Sequence, residues 1–559
     1  MTIKQGDRLQ DVDLWWLLVW LAIATILRLT NLGAKPASSI EIATLGFSLG
    51  HGFNHIPLDS VVSMTTLLSP LKLDNQIGAI DVIRRLFAES THPPLYFWLT
   101  HWWVKLFTEN GELVTLTAGR SLSAILGSLT IPAIFSLSWL SFRSRLAAHV
   151  TAILMAVSPY GIYLAQEARH YTISILWIVA SLSCMTIAIN RIQDRKQLPW
   201  AIALIWIVTN SLGMATHYFF ALTLLLEGSI LLWWWWRDRF GKVKLWLPIV
   251  IVGLGTLVGC LVWLPVASGI SDNSLTEWIE TDYDLKDIWL PLPRILGWLI
   301  TMVGLLPIEG VPTVISVSSI VILLLGLIWT IPLLVRGGKI LLRGVDSQSM
   351  ATVWLAYCLG GIGLALGMIY GYGRDISLAA RYHFSYFPGV ILFLGATLAT
   401  LWQNTKLNRV KGKQVAITII LIGFLGSLTV VNNLGFQKSR QANRLAAHIL
   451  TTSQTPGMVA TTYETHAELR EAIALALALE TNSLSQSNPI AVPQFLLLQR
   501  NPESGNKLAS ILATQPKPLY IWGVNLRTSA DFMSQLNCSQ DDGAKLADSG
   551  YKLRFYVCR

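Results

Sequence analysis

Five short segments of the chain place carboxylates, arginines and histidines beside long apolar runs. They are Ser38-Ser39-Ile40-Glu41, Thr91-His92-Pro93-Pro94, Glu167-Ala168-Arg169-His170-Tyr171, Arg374-Asp375 with Arg381-Tyr382-His383, and Thr216-His217-Tyr218. Side chains of these types suit a phosphate carried on a lipid. An arginine forks two phosphate oxygens, and a carboxylate can take the proton of an acceptor hydroxyl. Each segment also has a plainer reading. Glu167 with Arg169 makes an interfacial ion pair, His92 before two prolines caps a helix start, Arg381-Tyr382 anchors in lipid headgroups, and Glu41 is a solvated loop charge. Residue types alone leave both readings open.

The elements that must hold these residues are legible in the hydropathy. Residues 147–189 comprise two apolar runs around the charged knot from Gln166 to Tyr171. A spanning helix takes roughly 20 apolar residues to cross about 30 Å of hydrocarbon. An ionisable cluster between two such runs therefore belongs at the membrane surface or in a wet cavity. Arg143 and Arg145 precede the pair, and Arg191, Arg195 and Lys196 follow it. Basic flanks mark the cytoplasmic side, so the knot faces outward.

Bulk composition agrees. The 559 residues are 53% hydrophobic and 13% charged, against about 25% charged in soluble chains; mean hydropathy is +0.52. The net charge of +10 sits mostly in short loops between apolar runs, which membrane orientation explains. No basic patch outside those loops points to nucleic acid. Many of the 23 tryptophans lie at run ends, among them Trp15-Trp16 and 233–236, as interfacial belts do. Neither a CxxC nor a His/Cys cluster suggests zinc, so no metal or cofactor is expected.

The first run, 14–29, follows Lys4 and Arg8 without a small-residue cleavage site, which predicts a retained first helix with a cytoplasmic N-terminus. Residues 31–117 form a long outer connection, in which 93–107 reads as an interfacial helix too short to span. Spans follow near 118–140, 146–164, 171–190, 199–216, 219–236, 246–267, 313–335, 350–370, 384–402 and 415–432. With the first helix these make about eleven, which puts the C-terminus outside. Arg237, Arg239, Lys242 and Lys244 then fall inside, as do Arg336, Lys339 and Arg343, and Lys406, Arg409, Lys411 and Lys413. Residues 290–312 are expected to dip into the membrane. The tail, 436–559, turns polar and alternates helical with strand-like runs, predicting a small α/β domain on the outer face, separate from a membrane module of 1–435. Cys538 and Cys558 are the cysteines outside apolar runs, and a disulfide between them is expected there.

Five blocks in order, HPPLYFWLTHWWVKLF from His92, Arg120-Ser121, SPYGIYLAQEARHYTI from Ser158, THYFFALTL from Thr216 and RYHFSYFPGV from Arg381, resemble the GT-C membrane glycosyltransferases. The likeness covers about residues 10–432 and is nearest to glycosyltransferase family 39, with its protein mannosyltransferase and aminoarabinose transferase relatives. It implies a polytopic α-helical membrane protein that moves a sugar, with inversion, from a polyprenyl-phosphate donor to a glycan, lipid or protein acceptor on the outer face of a bacterial plasma membrane. By position it implies that Glu41 or Glu167 serves as catalytic base, since the family's acidic pair falls on Ile40-Glu41 and Ile40 stands where the Asp is expected. His92, Arg169, Arg381 and Tyr382 are implied as substrate-binding residues, and His170, Tyr171 and His217 of the polar segments are candidates for the same role. The loss of the Asp leaves a second expectation, an inactive GT-C scaffold that binds a lipid-linked sugar or a partner protein.

Overall fold

A computed structural model describes residues 10–237, 243–263, 279–280, 287–344, 347–404, 409–452, 457–484, 493–541, 546 and 549–559. Lys4, Arg8, Arg239, Lys242 and Lys406 of the charge pattern lie outside these residues, as do 264–267 of one expected span. Seven described helices are long and apolar enough to cross a membrane: Asp11–Leu29, Leu116–Phe142, Tyr171–Gln193, Val243–Leu261, Thr313–Leu341, Gln348–Tyr372 and Lys411–Val431. Helices Arg145–Ala156 and Pro159–Ala165, bent by 55° at their junction, make an eighth when taken as one span. Trp200–Met214 and Phe387–Gln403 are apolar but shorter, and Phe220–Arg237 is helical too. Residues 290–312 contain only the short helix Pro291–Thr301. The segment expected to lie at the interface forms the ten-residue helix Leu95–Val104.

The chain folds as two compact units. The first, made of 10–32, 91–96 and 120–437, is the helical bundle. Its helix Thr313–Leu341, the least buried of the seven, leaves Val314 76% and Ile328 70% exposed. Contiguous apolar surface of that kind is unfavourable in water and needs no cover in lipid. Polar contacts hold the bundle together where helices meet. Asp13 accepts from Arg145 Nε at 2.8 Å and pairs with His149 Nε2 at 3.1 Å. Deeper in, Ser181 Oγ lies within hydrogen-bond reach of Glu227 Oε2 at 2.8 Å and of Asn210 Oδ1 at 2.7 Å, and accepts from Trp206 Nε1 at 2.9 Å.

The second unit comprises 33–90, 97–119 and 438–559. Its six strands are β1 (Val61–Val62), β2 (Met458–Tyr463), β3 (Gln494–Gln499), β4 (Leu519–Val524), β5 (Cys538–Asp541) and β6 (Leu553–Cys558), in spatial order β1-β3-β2-β4-β6-β5. β2 runs parallel to both β3 and β4, and helices connect these strands as parallel pairing requires. All six residues of β2 are buried, as in a strand covered on both faces. The strand-like runs expected in the tail, 458–462, 495–498 and 519–522, fall within these three parallel strands. Cys538 and Cys558 face each other across β5 and β6 and are disulfide-linked, with Cα atoms 3.9 Å apart. Closing the 20-residue separation contributes about 3 kcal/mol in the chain-entropy model.

One difference from the sequence reading concerns the connection 31–117, assigned there to the membrane module. Most of it packs in the unit of the tail. β1 pairs antiparallel with β3, Val61 opposite Leu496. Asp59 N donates to Leu497 O at 2.8 Å, and Lys507 Nζ reaches the Asp59 carboxylate at 2.6 Å. A two-residue strand has no measurable periodicity, and partners more than 400 positions away leave no local trace.

Candidate functional site

The knot is held by unusual termini of the helices around it. Helix Arg145–Ala156 stops at Val157, and Ser158 caps the next helix by accepting Gly161 N at 3.0 Å, with Pro159 at its first position. The carbonyls left at that break are taken by Arg28, which donates to Ala156 O at 3.1 Å and Met155 O at 3.0 Å. A buried guanidinium is well matched to the negative end of a helix. After helix Pro159–Ala165, Gln166 Nε2 donates to Thr30 O at 2.9 Å and, less closely, to Leu27 O and Arg28 O. The far end of the knot is fixed by Ser123 Oγ, which donates to Arg169 O at 2.9 Å and meets Tyr96 Oη at 2.6 Å. Glu167, Arg169, His170 and Tyr171 are all buried there.

Around the knot gather residues from three other stretches of the same unit. Arg169 Nη2 lies 3.5 Å from His92 Nε2, and its guanidinium is 5.7 Å from the Tyr171 ring centroid. The His170 ring is edge-on to His217 at 4.4 Å and lies 6.0 Å from His92, 6.1 Å from Tyr96 and 4.8 Å from Tyr171. Phe384 closes one side, 5.1 Å from His217 and 5.8 Å from Tyr171. Arg381 stacks 5.1 Å over Tyr382, which meets Phe219 at 5.3 Å. Tyr160 Oη donates to Ala380 O at 2.9 Å, and Tyr357 Oη to Ser385 O at 2.8 Å, so buried hydroxyls pin both ends of the segment carrying Arg381.

The electrostatics follow from the composition. Burial pushes the His170 imidazole well below the ordinary histidine range, and His217, Arg169, His92 and Arg381 push it further. His217 moves the same way, through burial and then His92 and Arg169. Phe219 N donates to His217 Nδ1 at 3.0 Å, which leaves the proton of the neutral ring on Nε2. Both ring nitrogens of His170 are buried without a hydrogen-bond partner among the described residues. Two permanent cations and two imidazoles thus surround the buried, unsatisfied nitrogens of His170. The chemistry that arrangement can perform is the holding of an anion with several oxygens. Among the described residues, no group of three or more His, Cys, Asp and Glu is disposed to hold a metal ion.

Of the residues singled out from sequence, the first unit brings together His92, Arg169, His170, Tyr171 and His217, with Glu167 in the same knot and Arg381-Tyr382 in electrostatic reach of it. Glu41 belongs to the second unit. It is buried, and its carboxylate accepts from Ser38 N and Ser38 Oγ, both at 3.2 Å, closing the first turn of helix Ser39–Ser48. Sequence reading passed over Arg28 and Glu227. Their signal was present, since each is an ionisable residue inside an apolar run and such residues seldom lack a role.

Residues 91–263 match the protein family described as Dolichyl-phosphate-mannose-protein mannosyltransferase. No curated protein matches the chain in sequence. Among solved structures, ArnT from Cupriavidus metallidurans in the apo state superposes with a TM-score of 0.52 at 12% identity, over 97% of this chain and 97% of that one. ArnT from Cupriavidus metallidurans bound to undecaprenyl phosphate matches with the same score, identity and coverage. Shared architecture over nearly the whole of both chains, apolar helices of spanning length and the family match across the knot agree with one another, and the chain is a multi-pass membrane protein with the fold of the GT-C glycosyltransferases.

Proposed function

We propose that the chain is a membrane glycosyltransferase that moves a sugar from a polyprenyl-phosphate donor to an acceptor hydroxyl on the outer face of a bacterial plasma membrane. The observation that carries this reading is the convergence of Arg169, Arg381, His92 and His217 around the buried His170. A phosphate-linked sugar is a good fit because its leaving group is already an anion. As the bond from the anomeric carbon to the phosphate oxygen breaks, its electron pair stays on phosphate, and the surrounding cations stabilise the charge that develops. The acceptor oxygen forms the new bond from the opposite face, with inversion, while its proton passes to a carboxylate. Glu167 lies in the knot beside the cluster, and Glu41 is the other candidate. A structure of ArnT holds undecaprenyl phosphate, which supports a lipid phosphate as the ligand class.

Purified protein in liposomes, supplied with polyprenyl-phosphate hexoses and pentoses and with membrane extract as acceptor, is expected to release polyprenyl phosphate from at least one donor. The replacement of the family's Asp by Ile40 supports a second reading, a scaffold that binds the donor without transfer. Binding of polyprenyl phosphate with no release from any donor would favour that scaffold.

The reading also requires the knot to face away from the cytoplasm. Basic residues Arg143, Arg145, Arg191 and Arg195 at the opposite helix ends support this orientation. A reporter active only in the cytoplasm, fused after Arg559, is expected to be silent; a bright signal would reject the outer-face reaction.

A further inference from the structure

We propose that His170 is the proton-taking ligand of this site: when a phosphate monoester binds, the His170 imidazole becomes imidazolium and donates a ring N–H to a phosphate oxygen. The inference rests on the reading of the cluster as a phosphate site and adds that binding is coupled to proton uptake from solution.

The geometry leads there. A neutral imidazole carries one N–H and one lone pair, and each needs a partner when buried, at a cost of about 1–3 kcal/mol if left without one. His170 is 1% exposed, and neither ring nitrogen finds a partner among the described residues. The groups that face it come from every neighbouring segment. His92 approaches from the turn before helix Leu95–Val104, and Tyr96 from that helix itself. Arg169 and Tyr171 flank it in sequence, and His217 lies against it from the connection before helix Phe220–Arg237. Arg381 acts on it from the segment before helix Phe387–Gln403. The charged members of this set are cations. They hold the ring neutral while no anion is present. They also donate hydrogen bonds and do not accept them.

A phosphate monoester reverses both conditions at once. It brings about −1.5 to −2 charge near neutral pH and three strongly accepting oxygens. The nearby cations are offset, the imidazolium gains an anionic partner, and a buried ring N–H finds an acceptor. The ring's affinity for a proton is therefore low in the free protein and higher in the complex. The sign follows from linkage. Between the two titration points binding takes up about one proton, and affinity rises about tenfold for each unit of pH lost. The donor is a phosphodiester with a single negative charge and draws the proton less strongly than the monoester product. Proton uptake thus favours the product phosphate, and its release is favoured by rising pH.

The test is isothermal titration calorimetry of the full-length protein in detergent, at pH 7.5, in two buffers of different ionisation enthalpy. One arm uses undecaprenyl phosphate and the other inorganic phosphate. Wild type is expected to take up about one proton per ligand bound, with uptake in both arms if the phosphate group alone is read and in the lipid arm alone if the headgroup is needed. His170→Asn is expected to bind with no uptake. His170→Gln, which likewise carries no titratable group, is expected to show no uptake and covers the case in which the Asn variant fails to fold. Wild-type binding without proton uptake, or uptake undiminished in both variants, would overturn the role of His170 and leave the phosphate site standing. Failure of wild type to bind either ligand would overturn the phosphate site itself, and this inference with it.

Discussion

Glu167→Gln is expected to reduce sugar transfer by about 10²–10⁴-fold, the usual loss on removing a general base, while binding of undecaprenyl phosphate changes little. Gln keeps the shape and a hydrogen-bonding oxygen but accepts no proton at neutral pH. Glu167 is buried in the knot, two residues before the arginine that faces His92. Glu41→Gln is the paired variant. Its amide oxygen still accepts from Ser38, so the cap of helix Ser39–Ser48 survives and a loss of transfer would report on chemistry rather than folding. The measurement is the initial rate of polyprenyl phosphate release under saturating donor. A collapse in Glu167→Gln with Glu41→Gln near wild type assigns the base to Glu167. The reverse assigns it to Glu41. Full activity in both variants would eliminate a carboxylate base from this reaction.

Arg381→Ala and Arg169→Ala are each expected to weaken undecaprenyl phosphate binding by about 10–150-fold, which corresponds to the 1.5–3 kcal/mol of a hydrogen bond to a charged group. Arg→Lys at either position is expected to recover only part of the loss. Lysine restores the charge but not the planar fork that meets two phosphate oxygens, nor the stacking on Tyr382 or Tyr171. Equilibrium binding checks this, with thermal unfolding alongside to show that each variant is folded. The double alanine variant is expected to lose less than the product of the two single losses, since both guanidinium groups act on one anion and share one network around His170. Wild-type affinity in both single variants would remove the arginines from the site and the phosphate reading with them.

Much of this architecture is a property of the sequence read locally. Whether 20 residues cross a bilayer depends on the transfer of those residues and their own backbone, so the apolar runs and their basic flanks mark helices such as Tyr171–Gln193 and Gln348–Tyr372 without reference to the rest of the chain. The alternation of strand and helix between Met458 and Val524 is equally local, because a parallel strand buried on both faces is a short apolar run between helices. The motif residues stood out only as candidates, since an ionisable group at the end of a membrane helix also serves as a headgroup anchor or an orientation charge. Tertiary structure decided what depends on separated stretches meeting. It put a side chain from the first helix, Arg28, on the carbonyls at the break before Pro159. It paired Val61-Val62 with a strand more than 400 residues away, so that most of the connection 31–117 joined the unit of the tail. It set His217 against His170, and left His170 with two buried nitrogens to satisfy. No hydropathy pattern encodes such meetings, because the energy of each comes from packing and hydrogen-bond geometry between elements whose separation along the chain is unconstrained.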